Sequence, residues 1–226
     1  ALTHITQPAL LTASVALYRV WQQQGGREPV LMAGHSLGEY SALVCAGGIG
    51  FRDAVDLVRQ RGEFMQSAVP LGTGSMAAII GLEDAAVENC CGEAARTGTV
   101  TAANYNSPGQ VVIAGHTAAV EQAVNLCKQA GARRAMMLQV SAPFHSPLMT
   151  PAADKFAQVL AKVEVRTPRI AVIQNVGLQS SNNPARIKQN LVAQIASQVQ
   201  WVATMKLFAE QQVVHLLEMG PGKVLS

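Results

Sequence analysis

The feature that most constrains this chain is the segment at residues 34–38, GHSLG, which follows an apolar run and precedes a helical pattern. This setting is typical of a nucleophile elbow, in which a strand ends in a tight turn and a helix starts directly after the serine. We expect side chains in place of the two glycines to collide with neighbouring backbone. The helix start offers unpaired N–H groups beside Ser36, which can stabilise an oxyanion if the hydroxyl attacks an acyl carbonyl. The alternative is a glycine-rich turn in which Ser36 only caps a helix.

The composition excludes several classes of protein. Of the 226 residues 49% are hydrophobic and 14% charged, which suits a buried core, and the net charge of +3 does not predict a nucleic-acid partner. The most apolar stretch near the N-terminus, residues 9–17, is too short to span a membrane. The four cysteines show neither metal-type nor disulfide-type spacing, which predicts reduced thiols in the cytoplasm. The chain opens without Met and stops just after an apparent strand, so we expect it to be truncated at both ends.

Alternating strand and helix patterns predict an α/β fold with a parallel sheet covered on both faces. The expected strands of this sheet are 30–33, 170–174 and 213–218. The first helix is expected to begin with Thr6 as its N-cap and Pro8 in its first turn.

The pattern changes between residues 73 and 140. Segments there read strand, helix, strand, strand, helix, strand, which is the order of a ferredoxin-like unit. We therefore expect a small domain at 73–140, inserted into a large domain made of residues 1–72 and 141–226.

A serine nucleophile needs a base, and His145 is the best placed of the five histidines. It lies in a loop between two prolines, where a side chain is held rigidly, and the alternative is a histidine that only packs or caps a helix. No acidic residue is an obvious partner, so a backbone or amide carbonyl is expected to orient the imidazole.

Arg61 follows Ser36 by one helix and one turn, which can return its side chain to the same crevice. A guanidinium there can bind a free carboxylate through two hydrogen bonds and select acyl groups that carry one. The alternative is an exposed arginine that pairs with Glu63.

Five motifs occur in order: GHSLGEYSALVCAG, RQRGEFM, NYNSPGQVVIAG, SAPFHSPLM and EMGPGKVL. With them the chain closely resembles the bacterial malonyl-CoA:acyl carrier protein transacylases, which belong with the acyltransferase domains of fatty acid and polyketide synthases. The resemblance covers essentially all 226 residues. It implies an α/β-hydrolase-like large domain with a parallel sheet that carries a ferredoxin-like insertion.

The resemblance also implies roles for individual residues. Ser36 would be the nucleophile, and His145 would be the general base and then the general acid. Arg61 would bind the malonyl carboxylate, and the Leu37 N–H would serve the oxyanion hole. Two further residues are implied to bind substrate: Met65 in the acyl pocket and Asn106 near the entrance.

The implied reaction moves malonyl from malonyl-CoA to the phosphopantetheine thiol of acyl carrier protein through a malonyl-serine ester, for fatty acid synthesis. No bound cofactor, metal, nucleic acid or membrane is implied, and we expect a cytoplasmic monomer. The alternatives are an acyltransferase module of a polyketide synthase and a serine esterase or thioesterase. One departure from the family is that residues 1–8 do not match its Gly-Gln-Gly-Ser-Gln type of loop, the source of the other oxyanion donor.

Overall fold

The computed structural model describes residues 2–140, 142–223 and 225. This part of the chain is an α/β structure with one parallel and one antiparallel sheet. The helices are α1 (Thr3–Gln23), α2 (Gly38–Cys45), α3 (Phe51–Gln66), α4 (Asp84–Ala94), α5 (Thr117–Gln129), α6 (Thr150–Leu160), α7 (Pro184–Gln194) and α8 (Trp201–Glu210). The strands are β1 (Leu31–Ala33), β2 (Gly74–Ile80), β3 (Val100–Ser107), β4 (Gln110–His116), β5 (Arg134–Met137) and β6 (Ala171–Ile173).

The parallel sheet positions the elbow. Strands β1 and β6 pair with Leu31 opposite Ala171 and Ala33 opposite Ile173. Because the strands are parallel, their carboxyl ends meet at one edge, where the residues that follow them come together. The sheet belongs to a compact unit formed by the described residues of 1–63, 157–190 and 203–226.

The antiparallel sheet belongs to a second compact unit, formed by the described residues of 64–156 and 191–202. Its elements follow the predicted order, β2, α4, β3, β4, α5 and β5, and its strands lie in the order β3-β4-β2-β5. Apolar side chains of both helices and the strands form its core, among them Ile79, Val87, Ile113 and Val120.

The cysteines are free thiols, as the spacing predicts. Burial raises the pKa of Cys91 and of Cys127 to about 12, so both stay protonated at neutral pH. No helix in the described part of the chain has the length and apolarity needed to cross a bilayer.

The predicted start of the first helix is wrong. Helix α1 begins at Thr3, Pro8 lies inside it, and the Thr6 hydroxyl donates to the Leu2 carbonyl one turn back. The added first turn is packed against α3, since a Cβ at Gly62 would lie only 2.6 Å from His4 Cα. A tertiary contact therefore outweighs the local capping signal.

The predicted strand at 213–218 is also wrong. The segment follows α8 with no strand assignment, and Val214 is 82% exposed. A strand requires ladder hydrogen bonds to a neighbouring strand, and among the described residues none pairs with this segment in that way. His215, within the predicted strand, is exposed.

Candidate active site

Ser36 lies in the turn between β1 and α2 with a φ of 50°, in the left-handed region. A Cβ at Gly34 would lie 1.9 Å from the backbone carbon of Gly38, so position 34 admits no side chain. At Gly38 a Cβ would meet nothing within 4 Å, and its φ is not positive. The expectation that both glycines are required is therefore wrong for Gly38, because only Gly34 faces the closing side of the turn.

Asn175, two residues beyond β6, holds both sides of the elbow. Its Oδ1 accepts a hydrogen bond from the Ser36 N–H at 2.8 Å, and its Nδ2 donates to the Gly34 carbonyl at 2.7 Å. These bonds bridge the residues that flank the sharpest point of the chain and stabilise the positive φ of the serine. Sequence reasoning missed Asn175, although a polar pair directly after a buried strand is the signal that could have identified it.

A buried carboxylate forms a hydrogen bond with the backbone of Asn175. Glu39, in the first turn of α2, is fully buried, and its Oε2 accepts a hydrogen bond from the Asn175 N–H at 2.9 Å. Its Oε1 accepts from Gln174 Nε2 at 3.0 Å, and Asn190 Nδ2 donates to Gln174 Oε1 at 2.8 Å. The network joins α7 to the elbow and satisfies both carboxylate oxygens, as a buried charge requires. Sequence reasoning missed these residues too.

Arg61 of α3 is 2% exposed and lies against Ser36. One terminal nitrogen donates to Ser36 Oγ at 3.0 Å and the other to Gln7 Oε1 at 2.8 Å. The alternative of an exposed arginine is wrong, because the Arg61 side chain is buried; Glu63 pairs with the partly exposed Arg59 at 2.7 Å.

The Tyr40 ring also contacts the Arg61 guanidinium. The Arg61 Cζ lies 5.2 Å from the centroid of the Tyr40 ring, a cation–π geometry. Burial is the main cause that raises the pKa of Tyr40 above its ordinary value, and the Arg61 charge opposes it. The phenol is therefore neutral at physiological pH.

Leu37 precedes α2 directly, and its N–H has no acceptor among the residues that the structure describes. The N–H groups of Gly38 and Glu39 bind the carbonyls of His35 and Ser36. With the Ser36 N–H bound to Asn175, the Leu37 N–H is a candidate donor to an oxyanion beside the serine.

His145 has a φ of 59° and is buried. Its Nδ1 lies 3.0 Å from the Gln194 carbonyl and 3.1 Å from the Ser197 carbonyl. Because a carbonyl oxygen only accepts, Nδ1 carries the proton and Nε2 is left as the basic nitrogen. Orientation by a backbone carbonyl is confirmed. The loop is fixed by the buried Ser146 hydroxyl, which donates to the Pro143 carbonyl at 2.6 Å, and Ser141 lies outside the described residues.

The predicted site residues fall into two groups. Ser36, Leu37 and Arg61 lie in the unit with the parallel sheet, where a hydrogen bond joins the serine to the arginine. The remaining three lie in the other unit: His145, the buried Met65 near the end of α3, and the half-buried Asn106 near the end of β3. The approach of this second group to Ser36 stays a prediction. Among the described residues no cluster of His, Cys, Asp or Glu has the geometry to hold a metal ion.

Comparison with known proteins gives a consistent result. The acyl transferase domain family matches residues 2–224. The chain is 60% identical over 221 residues to the malonyl CoA-acyl carrier protein transacylase of Escherichia coli K12, which covers 98% of this chain and 72% of that protein.

Two solved structures are similar to this chain over nearly its whole length. The acyl carrier protein S-malonyltransferase of Vibrio cholerae matches with a TM-score of 0.97 and 55% identity, over 99% of this chain and 73% of that chain. A malonyl-transacylase in complex with its type II PKS acyl-carrier protein matches with a TM-score of 0.97 and 53% identity, over 99% of this chain and 72% of that chain. This chain is therefore similar to these two proteins in backbone structure as well as in sequence.

Proposed function

This chain belongs to the acyl transferase domain family, among the malonyl CoA-acyl carrier protein transacylases, and from that membership we propose that it transfers malonyl from malonyl-CoA to the phosphopantetheine thiol of acyl carrier protein. The observation that carries the proposal is the buried Arg61 guanidinium, 3.0 Å from Ser36 Oγ. A cation beside the nucleophile suits an acyl group that ends in a carboxylate. The product would supply malonyl units for fatty acid synthesis.

The reaction proceeds in two half-reactions. In the first, His145 Nε2 takes the proton of the Ser36 hydroxyl as its oxygen attacks the thioester carbonyl. The Leu37 N–H stabilises the tetrahedral oxyanion. The intermediate collapses, the C–S bond breaks, and the coenzyme A thiolate leaves with the proton from the imidazolium, so that a malonyl ester remains on Ser36.

The second half-reaction reverses these steps with the carrier thiol in place of coenzyme A. The carrier thiol loses its proton to His145 and attacks the ester carbonyl. Collapse of the second intermediate breaks the bond to Ser36 Oγ, which regains a proton from His145. Malonyl ends on the carrier as a thioester, and the free enzyme is restored.

Arg61 gives the reaction its selectivity. Its charge is held out of water at a desolvation cost of several kcal/mol, which the substrate carboxylate offsets by pairing with it. An acetyl group brings no carboxylate and leaves this cost in place. Short acyl groups without a second carboxylate are thereby disfavoured.

Met65 lines the acyl pocket and Asn106 lies near the substrate entrance. The net charge of +3 favours an acidic carrier protein as partner. The free thiols suit a reducing compartment, so the enzyme would act in the cytoplasm. A monomer stays the expected oligomeric state.

We also propose the domain organisation that the sequence predicts. Residues 1–72 and 141–226 would form an α/β-hydrolase-like domain, and residues 73–140 a ferredoxin-like insertion. The β2, α4, β3, β4, α5, β5 order with the strand arrangement β3-β4-β2-β5 supports the second assignment.

The test is to trap the intermediate. The purified chain is incubated with malonyl-CoA and analysed by intact-protein and peptide mass spectrometry. We expect a malonyl adduct on Ser36, its absence in Ser36→Ala, and its retention in Ser67→Ala, which changes an exposed serine. Addition of the carrier in its phosphopantetheine form should move the adduct to the carrier. Loss of the adduct to water without transfer would instead identify an esterase or thioesterase.

A further inference from the structure

We propose that Gln7 is a positioning residue that fixes the Arg61 guanidinium and, because its amide is neutral, leaves the positive charge to the substrate. The inference rests on the proposed function and deepens it, since it names a residue that sets the preference for a carboxylate-bearing acyl group. Gln7 lies on α1, 54 residues before Arg61.

Both polar atoms of the Gln7 side-chain amide form hydrogen bonds. It is 6% exposed, and its Oε1 accepts a hydrogen bond from Arg61 at 2.8 Å. Its Nε2 donates to Thr3 Oγ1, one helical turn earlier, at 3.0 Å. A guanidinium only donates, and the threonine hydroxyl oxygen accepts, so the amide has one orientation that satisfies both neighbours.

The packing of two helices brings these groups together. The position next to Arg61 is Gly62, where a Cβ would lie 2.6 Å from His4 Cα and 2.8 Å from His4 N. Only glycine permits this approach of α3 to the first turn of α1. The close contact places Arg61 beside the face of α1 that carries Gln7.

The guanidinium is thus held at two of its nitrogens. One binds Ser36 Oγ and the other binds Gln7 Oε1, which fixes the plane of the group relative to the nucleophile. Fixing that plane in advance lowers the cost of ordering the arginine when substrate binds.

The choice of an amide at position 7 has an electrostatic consequence. A carboxylate in the same place would attract the guanidinium strongly, because the two groups are buried and in contact. The substrate carboxylate would then compete with an internal anion. Gln7 supplies a hydrogen-bond acceptor of the same shape and adds no charge.

The test compares Gln7→Glu with wild type on malonyl-CoA and acetyl-CoA. We expect kcat/KM for malonyl-CoA to fall at least about tenfold more than kcat/KM for acetyl-CoA, because only malonyl competes with the new carboxylate. Gln23→Glu is the matched control: it adds the same charge at the exposed end of α1 and should leave the ratio unchanged. In an Arg61→Ala background, Gln7→Glu should no longer alter the ratio.

A second variant covers the case in which Gln7→Glu does not fold. Thr3→Val removes the acceptor that orients the amide, and it should shift the malonyl to acetyl ratio in the same direction by a smaller factor. Equal losses for both substrates in Gln7→Glu, or an unchanged ratio in Thr3→Val, would overturn the role of Gln7. If wild type forms no malonyl ester at all, the proposed function fails first, which separates the two outcomes.

Discussion

Two of the residues that the proposed reaction uses have backbone conformations that L-amino acids rarely adopt. The φ angles are 50° at Ser36 and 59° at His145. Such conformations cost about 1–3 kcal/mol each and persist where the surroundings fix them. At Ser36 the two hydrogen bonds of Asn175 do so, and at His145 the ring is held by two backbone carbonyls. Leu178 and Gln212 also have positive φ values, so the strain at Ser36 and His145 is compatible with a functional role without being specific to it.

Arg61 allows a test at the scale of one side chain. Arg61→Ala removes the partner of the substrate carboxylate, so kcat/KM for malonyl-CoA should fall about 10- to 100-fold, the value of a hydrogen bond to a charged group. The value for acetyl-CoA should fall less, so the ratio moves toward acetyl. Steady-state transfer to the carrier measures both.

The control for this variant is two residues away. Arg59 lies on the same helix and is partly exposed in a pair with Glu63. Arg59→Ala removes the same charge from α3 without touching Ser36, so its substrate ratio should equal that of wild type. If Arg61→Ala also kept the wild-type ratio, the arginine would have no part in selecting malonyl.

At the scale of elements, the elbow is a junction of three pieces of chain. Strand β1 leads into the turn, α2 leaves it, and the residues after β6 bind it from the side. Glu39 fastens α2 to the segment after β6 through the Asn175 N–H. The sharp turn is therefore supported by a neighbouring strand of the sheet as well as by its own glycine.

The two glycines of the elbow give a matched pair of substitutions. Gly34→Ala forces a Cβ to 1.9 Å from backbone, which should lower the free energy of unfolding by about 3 kcal/mol. Gly38→Ala places a Cβ in open space at the first residue of α2, where alanine is the better helix former, so the change should be within about 1 kcal/mol. Urea unfolding followed by circular dichroism measures both. Equal effects would contradict the steric asymmetry of the turn.

At the scale of the whole molecule, the proposed reaction needs residues from both compact units. Ser36 belongs to the unit with the parallel sheet and His145 to the unit with the antiparallel sheet. Each is held by hydrogen bonds within its own unit. Asn175 and Arg61 bind the serine, and backbone carbonyls fix the tautomer of the histidine. The proposed reaction pairs the two by moving a proton from the serine hydroxyl to the imidazole.

A double-variant cycle tests that pairing. His145→Ala should slow formation of the malonyl ester about 100-fold or more, the scale of general base catalysis. The residual rate should not vary between about pH 6 and 8, where a histidine of ordinary pKa titrates. Rapid-quench acylation measures these rates.

The second part of the cycle uses the serine. Ser36→Ala and Ser36→Ala/His145→Ala should be equally inactive in carrier transfer, because residues that act as a unit are not additive. His145→Ala with wild-type acylation and an unchanged pH profile would remove the histidine from the reaction. His116→Ala, outside the proposed site, is the control and should keep the wild-type pH profile.

Local signals account for what could be predicted. The elbow, the strand–helix order between residues 73 and 140 and the loop that holds His145 are each encoded within short windows by glycine and proline placement and by apolar periodicity. The strand predicted at 213–218 fails because pairing depends on a neighbour that the window does not contain. The same limit explains the misplaced start of α1.

The sequence by itself thus determined the tight turn around the candidate nucleophile Ser36 and the class of fold, since these follow from backbone sterics and side-chain period. Only the tertiary structure decided which groups hold that serine. Asn175 lies 139 residues from Ser36 and Gln7 lies 54 residues from Arg61, and each meets its partner through the pairing of β6 with β1 or the contact of α3 with α1. Hydrogen bonds between such distant residues exist only after helices and strands have packed, so no local pattern of the chain contains them.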